Sequence, residues 1–309
     1  MFSFLYTKQL LTSFLSLLAV VVLQAQSATR YSPEKVAALD NKLEEVSAVQ
    51  YWPERKQLLM LNDGGHPAHL YVCNTQGDIQ QTIVLEGIHN EDWEAMGQDA
   101  THFYVADVGN NQSGNRKNLA IYMVPKKLIV AGKKKIVIPA SAIGKIGFSY
   151  ADQTDYSAVT GNNTRFDCEA IVVHQQQVHL FSKNWAGSTS YHYTMPAKAG
   201  HYKATLVDSL HTGAFKITDA AYHAKGWLLL TAYSRQGAVQ LFAIAQRGTA
   251  IRLTGNVQLF TLPPSIQTGQ LESVCFETSN SGWLATEAFG KKGFQLPALL
   301  YRFQLPLRL

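Results

Sequence analysis

From residue 46 onward the chain is a succession of short apolar runs, many alternating with polar positions. Lys56-Gln-Leu-Leu-Met-Leu61, His69-Leu-Tyr-Val72, His102-Phe-Tyr-Val-Ala106, Leu119-Ala-Ile-Tyr-Met-Val124, Val178-His-Leu-Phe-Ser182 and Trp227-Leu-Leu-Leu-Thr231 are examples. Gly, Asn, Asp or Pro bounds each run, and this combination predicts strands separated by tight turns. Helical spacing is confined to residues 33–45, where Val36, Leu39 and Leu43 recur. The pattern therefore predicts an all-β chain.

The runs fall into repeating groups, each opened by a short motif with an acid or hydroxyl followed by small and apolar residues. The motif occurs as Val46-Ser47-Ala48-Val49, Trp93-Glu94-Ala95-Met96, Cys168-Glu169-Ala170-Ile171, Thr218-Asp219-Ala220-Ala221 and Leu271-Glu272-Ser273-Val274. Successive polar members lie 47, 75, 50 and 53 residues apart. Three of the intervals suit a β-propeller blade of about 40–50 residues. The prediction is a single propeller over residues 45–309, with five mostly four-stranded antiparallel blades. The long second interval, which contains a basic excursion at 126–139 and a polar connection at 152–165, leaves six open. The last group reads one strand short, and the segment 26–44 is the candidate to complete it. A sandwich or barrel also alternates, but only a propeller turns the same position of every group toward a common axis.

That geometry aims Ser47, Glu94, Glu169, Asp219 and Glu272 at one channel. Carboxylates gathered there must hold protons or recruit a cation. Oxygen donors without His or thiolate point to calcium. The alternative is that inner-strand carboxylates cap backbone amides of neighbouring blades, with no metal present.

The second strands end in polar residues that a propeller collects around one mouth. Among these, Asp63, Asp107 and Glu287 are candidate acids or bases, and Asn110, Arg116, Lys183 and Tyr233 candidate anion-binding groups. No Gly-x-Ser-x-Gly is present, and the histidines follow no metal-binding spacing. Cys168 alternates away from Glu169 and is read as a packed thiol.

Residues 1–25 carry one cation, Lys8, then an apolar run and small residues, which predicts a signal peptide cleaved near Ala25 and a secreted or periplasmic product. No later run is long enough for a membrane span. Net charge is +5 with the leader and +4 without Lys8, too mild and dispersed for a nucleic-acid surface. Cys73, Cys168 and Cys275 are an odd set, so packing rather than a disulfide framework must hold the fold. A monomer is expected.

Asn90-Glu-Asp-Trp-Glu94, Val105-Ala-Asp-Val-Gly-Asn-Asn111 with Arg116, Phe166-Asp-Cys-Glu-Ala170, Leu180-Phe-Ser-Lys-Asn-Trp185, Ile217-Thr-Asp-Ala-Ala221 and Gln270-Leu-Glu272 together resemble a group of secreted propeller proteins common in Bacteroidetes. That resemblance implies fold and compartment, and no established activity. The ring order is similar to the Ser/Glu pattern of calcium-activated nucleotidases (apyrases), which implies an axial calcium. Asp219 departs from the hydroxyl expected there, with Thr218 beside it. The functional expectation is a calcium-containing propeller that binds or hydrolyses a small anionic or ester substrate at the mouth. The alternative is a non-catalytic glycan- or protein-binding module using Trp185, Tyr191 or Tyr233.

Overall fold

The computed structural model describes residues 28–291 and 293–308; the expected signal peptide lies outside them. Strands dominate throughout, in antiparallel groups that follow the chain. The first group runs Val46–Trp52, Gln57–Asn62, His69–Cys73 and Ile79–Glu86. The second is Trp93–Gln98, His102–Asp107, Ala120–Pro125 and Gly144–Tyr150. The third is Cys168–His174, Gln177–Ser182, Thr189–Pro196 and Gly200–His211. The fourth is Phe215–His223, Trp227–Ser234, Val239–Ala245 and Val257–Leu262. The last is Gln270–Phe276, Ser281–Glu287 and Leu299–Gln304.

The first strands of these groups neighbour one another in a closed circuit, the last returning to Val46–Trp52. This radial arrangement of antiparallel sheets around a channel is a β-propeller. Burial follows from it. Val46–Trp52 is buried at every position, whereas the outer strand Gly200–His211 is mostly exposed or half-buried. A first strand has sheets against both faces and a channel beyond, so its residues are apolar, small, or polar with an internal partner. The hydrophobic core lies between successive sheets. Trp52, Leu59, Leu61 and Leu70 of the first group pack on Trp93, Met96, Phe103 and Val105 of the second, with the Trp52 and Phe103 rings edge-to-face at 5.0 Å.

The chain's beginning completes its end. Glu34–Ala38 pairs antiparallel with Leu299–Gln304, and Thr29–Arg30 lies parallel to Val257–Leu262. Helical spacing in 33–45 is thus resolved as a strand followed by a single 3-10 turn, Asn41–Leu43. The open edge of Leu299–Gln304 supplies backbone partners that an isolated amphipathic helix would lack, and Leu39 and Leu43 still reach the core.

The long second interval has a local cause. Lys135–Pro139 leaves its own group to run parallel to Ile79–Glu86. The second and third sheets join through parallel pairing of Gly144–Tyr150 with Gly200–His211, giving one eight-stranded sheet. Residues 152–165 contain no strand and lie against the 110–114 loop, with Val159 and Asn162 donating backbone bonds to Ser113 and Asn111. Deleting residues 28–38 should expose the Leu299–Gln304 edge and lower the thermal midpoint by at least about 5 °C, as expected for a loss of two or more kcal/mol in a domain of this size. An unchanged midpoint by calorimetry would show that these strands contribute nothing to closure.

Candidate metal centre

Every first strand slips register near its start. The shifts fall between Val46 and Ala48, Trp93 and Ala95, Cys168 and Ala170, Ile217 and Asp219, and Leu271 and Ser273. The residues left without a ladder partner are Ser47, Glu94, Glu169, Thr218 and Glu272. A β-bulge re-aims the extra side chain, and here it occurs at the same place in all the groups. Thr218, not Asp219, is therefore the fourth member of the ring.

The two hydroxyl members stitch neighbouring groups together: Ser47 Oγ donates to Trp93 O at 3.0 Å, and Thr218 Oγ1 to Leu271 O at 2.8 Å. Asp219 is buried beside the ring, where its carboxylate accepts the Ala220 and Val274 amides at 2.8 Å each. It acts as the amide cap that was the alternative to a metal ligand.

The three glutamates lie around Lys183. Its ammonium contacts Glu169 directly, lies 3.9 Å from Glu272 and donates to Tyr233 Oη at 3.0 Å. Burial alone would lower the lysine's pKa, but Glu169, Glu272, Tyr233 and Glu94 outweigh it and hold the ammonium well above its ordinary range. Lys183 and Tyr233, expected as substrate-binding groups, are here engaged within the ring. Lys183 is its internal counter-ion.

One lysine does not balance the charge. Asp63, Asp92 and Glu94 bring one carboxylate oxygen each within 4.8 Å of one another. Burial, together with Glu169, Asp63, Asp167 and Asp92, pushes Glu94 well above the usual carboxylate range. Asp63 is pushed up to about 7, chiefly by burial, against the opposing hydrogen bond from the Gly64 amide. Asp92 rises to about 6 through burial and Asp167, partly relieved by Arg116. Glu94 is only 6% exposed and lies among carboxylates that all raise its pKa. Such a group needs a proton or a cation.

Two glycines make room for these carboxylates. A Cβ on Gly109 would sit 2.3 Å from Asp92 Oδ2 and 2.8 Å from Glu94 Oε1; one on Gly64 would sit 2.9 Å from Asp92 Oδ1. The remaining mouth residues brace the loop. Asp107 accepts Arg116 Nη2 at 2.7 Å and the Asp92 amide at 3.2 Å, and Arg116 Nη1 donates to Gly109 O at 2.7 Å. Asn110 accepts the Arg116 amide at 3.0 Å and donates its own amide to Asp167 at 2.7 Å. Arg116, Asp107 and Asn110 thus position the centre, with no free donor fork aimed at the channel. Glu287 lies near Gln270, which donates to it at 3.3 Å, and burial with Glu272 and Asp63 raises its pKa well above normal.

Asp92 and Asp167 were not singled out from the sequence. Their signal was present as Asp92-Trp-Glu94 and Asp167-Cys-Glu169, an acid two residues before the ring member in consecutive groups. Cys168 is buried, and burial pushes its thiol up to about 12, which removes it as a nucleophile. The opposite end of the channel is different in character. A small cavity of about 220 Å³ there is lined by residues such as Gln50, Gln98, Val172, Tyr222 and Phe276 from the far ends of the first strands.

No protein-family model matches the chain, and no curated protein sequence does. Among solved structures, it is similar to the tail fibre of a Staphylococcus aureus phage (TM-score 0.48, 12% identity), covering 89% of this chain and 53% of that one. It is also similar to a putative oxidoreductase (glucose dehydrogenase) from Thermus thermophilus, at TM-score 0.42 and 12% identity over 87% of this chain and 99% of that one. The Dos1 propeller matches at TM-score 0.36 and 9% identity, over 82% and 69% respectively. The chain thus spans about half the length of the phage protein. At these scores the likenesses carry no argument about activity, and the architecture rests on the strand order and the closed circuit of first strands.

Replacing Lys183 by Met leaves Glu169 and Glu272 buried without their counter-ion. The expected loss is about 3–5 kcal/mol near neutral pH, shrinking toward pH 5 as the glutamates protonate. Denaturant unfolding at both pH values checks this, and an equal loss at each would contradict the charge argument. Gly109→Ala should disturb Asp92 and Glu94 and lower the thermal midpoint by several degrees. An alanine variant as stable as the parent would mean the two carboxylates are free to move apart.

Proposed function

We propose that the chain is a secreted or periplasmic five-bladed propeller whose acidic channel end holds calcium on Asp63, Asp92 and Glu94. There it meets a small anionic or ester substrate. The five-blade reading is supported by the number of bulged first strands and by the use of residues 135–139 to extend an existing sheet. Compartment rests on the leader pattern of residues 1–25.

The observation that carries the metal reading is Glu94, buried and facing two further carboxylates. Hard oxygen donors of mixed burial, with room for waters on the exposed side, fit calcium rather than zinc or copper. The axial set of Ser47, Glu94, Glu169, Asp219 and Glu272 is less suited to it. Lys183 already stands between two of those glutamates, Ser47 is spent on Trp93 O, and Asp219 on two amides.

Calcium bound there would polarise an oxygen of the substrate and offset developing negative charge. The chain's own groups do the rest. Asp107 and Arg116 hold Asp92 and Gly109 in place, while Glu287, whose pKa burial and its acidic neighbours raise, is the acid at the mouth best placed to hold a proton. The similarity of the ring to the apyrase pattern makes phosphoesters and nucleotides the first substrates to assay, with lactones next.

Calorimetric titration with calcium should show one site, weakened at least tenfold in Asp92→Asn; no heat of binding in the parent would end this reading. The pH dependence has a definite sign. Asp63 and Asp92 have folded pKa values above the ordinary 3.8, so between about pH 4 and pH 7 the metal-free folded state binds more protons than the unfolded chain. Its stability should therefore fall as pH rises through that window, and calcium affinity should rise over the same range. Thermal midpoints with chelator and with calcium at pH 5 and pH 7.5 check both. A calcium-induced shift larger at the lower pH would contradict the assignment.

A further inference from the structure

A second pocket opens beside the channel end, between the loop at 160–163 and the start of the fourth group. It encloses about 830 Å³, and its walls include Asn162, Asn163, Trp185, Lys216, Arg235 and Gln236. Its charge is opposite to that of the metal centre, since no Asp or Glu lines it.

Lys216 is only 8% exposed. Its ammonium donates to the carbonyls of Asn184 and Gly187, and no carboxylate pairs with it among the described residues. Arg235 is exposed, donates to Asn162 O at 3.2 Å, holds its guanidinium 5.6 Å from the Trp185 ring centroid, and likewise pairs with no described carboxylate. Burial and the charge of Arg235 both depress the Lys216 pKa. Lys216 is held by backbone carbonyls alone, and with Arg235 beside it the wall carries a positive charge that no carboxylate among the described residues offsets and that an anion would complement.

The rest of the wall narrows the chemistry. Trp185 is half-buried and fixed by a 2.7 Å hydrogen bond from Nε1 to Asp167, so its indole is a rigid partition between this pocket and the ring. Asn162, Asn163 and Gln236 offer both donors and acceptors on exposed loops. A flat apolar ring, several carboxamides and a guanidinium together suit the apolar face, hydroxyls and carboxylate of an acidic sugar.

We propose that this pocket binds a uronate unit of an acidic polysaccharide, with its carboxylate at Arg235 and Lys216 and its pyranose ring against Trp185. The site is separate from the calcium centre and stands whether or not that centre holds metal.

Calorimetric titration of the full chain with trigalacturonate, in chelator so that calcium cannot bridge, tests this. Saturable binding is expected, with none for a neutral galactose trisaccharide. Arg235→Gln, a substitution at an exposed side chain, should weaken it about tenfold or more, the effect of one charge-assisted hydrogen bond. Asp92→Asn should leave it unchanged. Equal binding of the neutral sugar, an affinity indifferent to Arg235→Gln, binding of inorganic phosphate but not the uronate, or no binding at all would each overturn the proposal.

Discussion

The structure depends on how negative charge is disposed at one end of a narrow channel. Bulges near the start of the innermost strands put a polar side chain at the same height in each group, and three of these are glutamates. Buried carboxylates this close cannot all be ionised without help. The fold answers differently around the circle. Toward the third and last groups, Lys183 enters as a tethered cation between Glu169 and Glu272. Toward the first and second, Glu94 faces Asp63 and Asp92 and has no cation in direct contact among the described residues. That asymmetry turns a repetitive scaffold into one with a single distinctive corner.

The remaining polar residues make sense as supports for this arrangement. Ser47, Thr218 and Asp219 tie adjacent sheets at the axis through backbone groups, so the circuit is stitched by hydrogen bonds where hydrophobic contact is thinnest. Arg116 and Asp107 clamp the loop carrying Gly109, whose missing side chain lets Asp92 and Glu94 approach. The pocket walled by Trp185 holds the complementary excess, two cations without acids. Trp185, bonded to Asp167 and facing Lys183 on the ring side, is thus also a wall of the pocket that carries the positive surplus.

Much of the fold was legible because strand alternation and the recurring motif are local properties of the chain. The strand positions of the second and third groups could be read directly, and so could the clustering of Glu94, Glu169 and Glu272. Register was the main obstacle. Counting along the sequence selects Asp219, the more conspicuous acid, whereas a one-residue bulge presents Thr218; two adjacent polar residues cannot be separated without their partners on the next strand. Asp92 and Asp167 were hidden by lying two residues before the motif. Lys183 was visible as a mouth residue, but its role depends on Glu272, far along the chain and brought close only by closure of the circuit. Residues 34–38 carry helical spacing yet form a strand, because the exposed edge they complete is made by residues near the other terminus.

The central claim is that the uncompensated corner, and not the whole ring, is the cation site. A crystal grown with a lanthanide in place of calcium, examined by anomalous scattering, tests it most directly. The account predicts one strong peak among the carboxylates of Asp63, Asp92 and Glu94, with Lys183 still in contact with Glu169. A peak on the axis among Glu169, Glu272 and Ser47 with Lys183 displaced, or no ordered ion at this end of the channel, would contradict it.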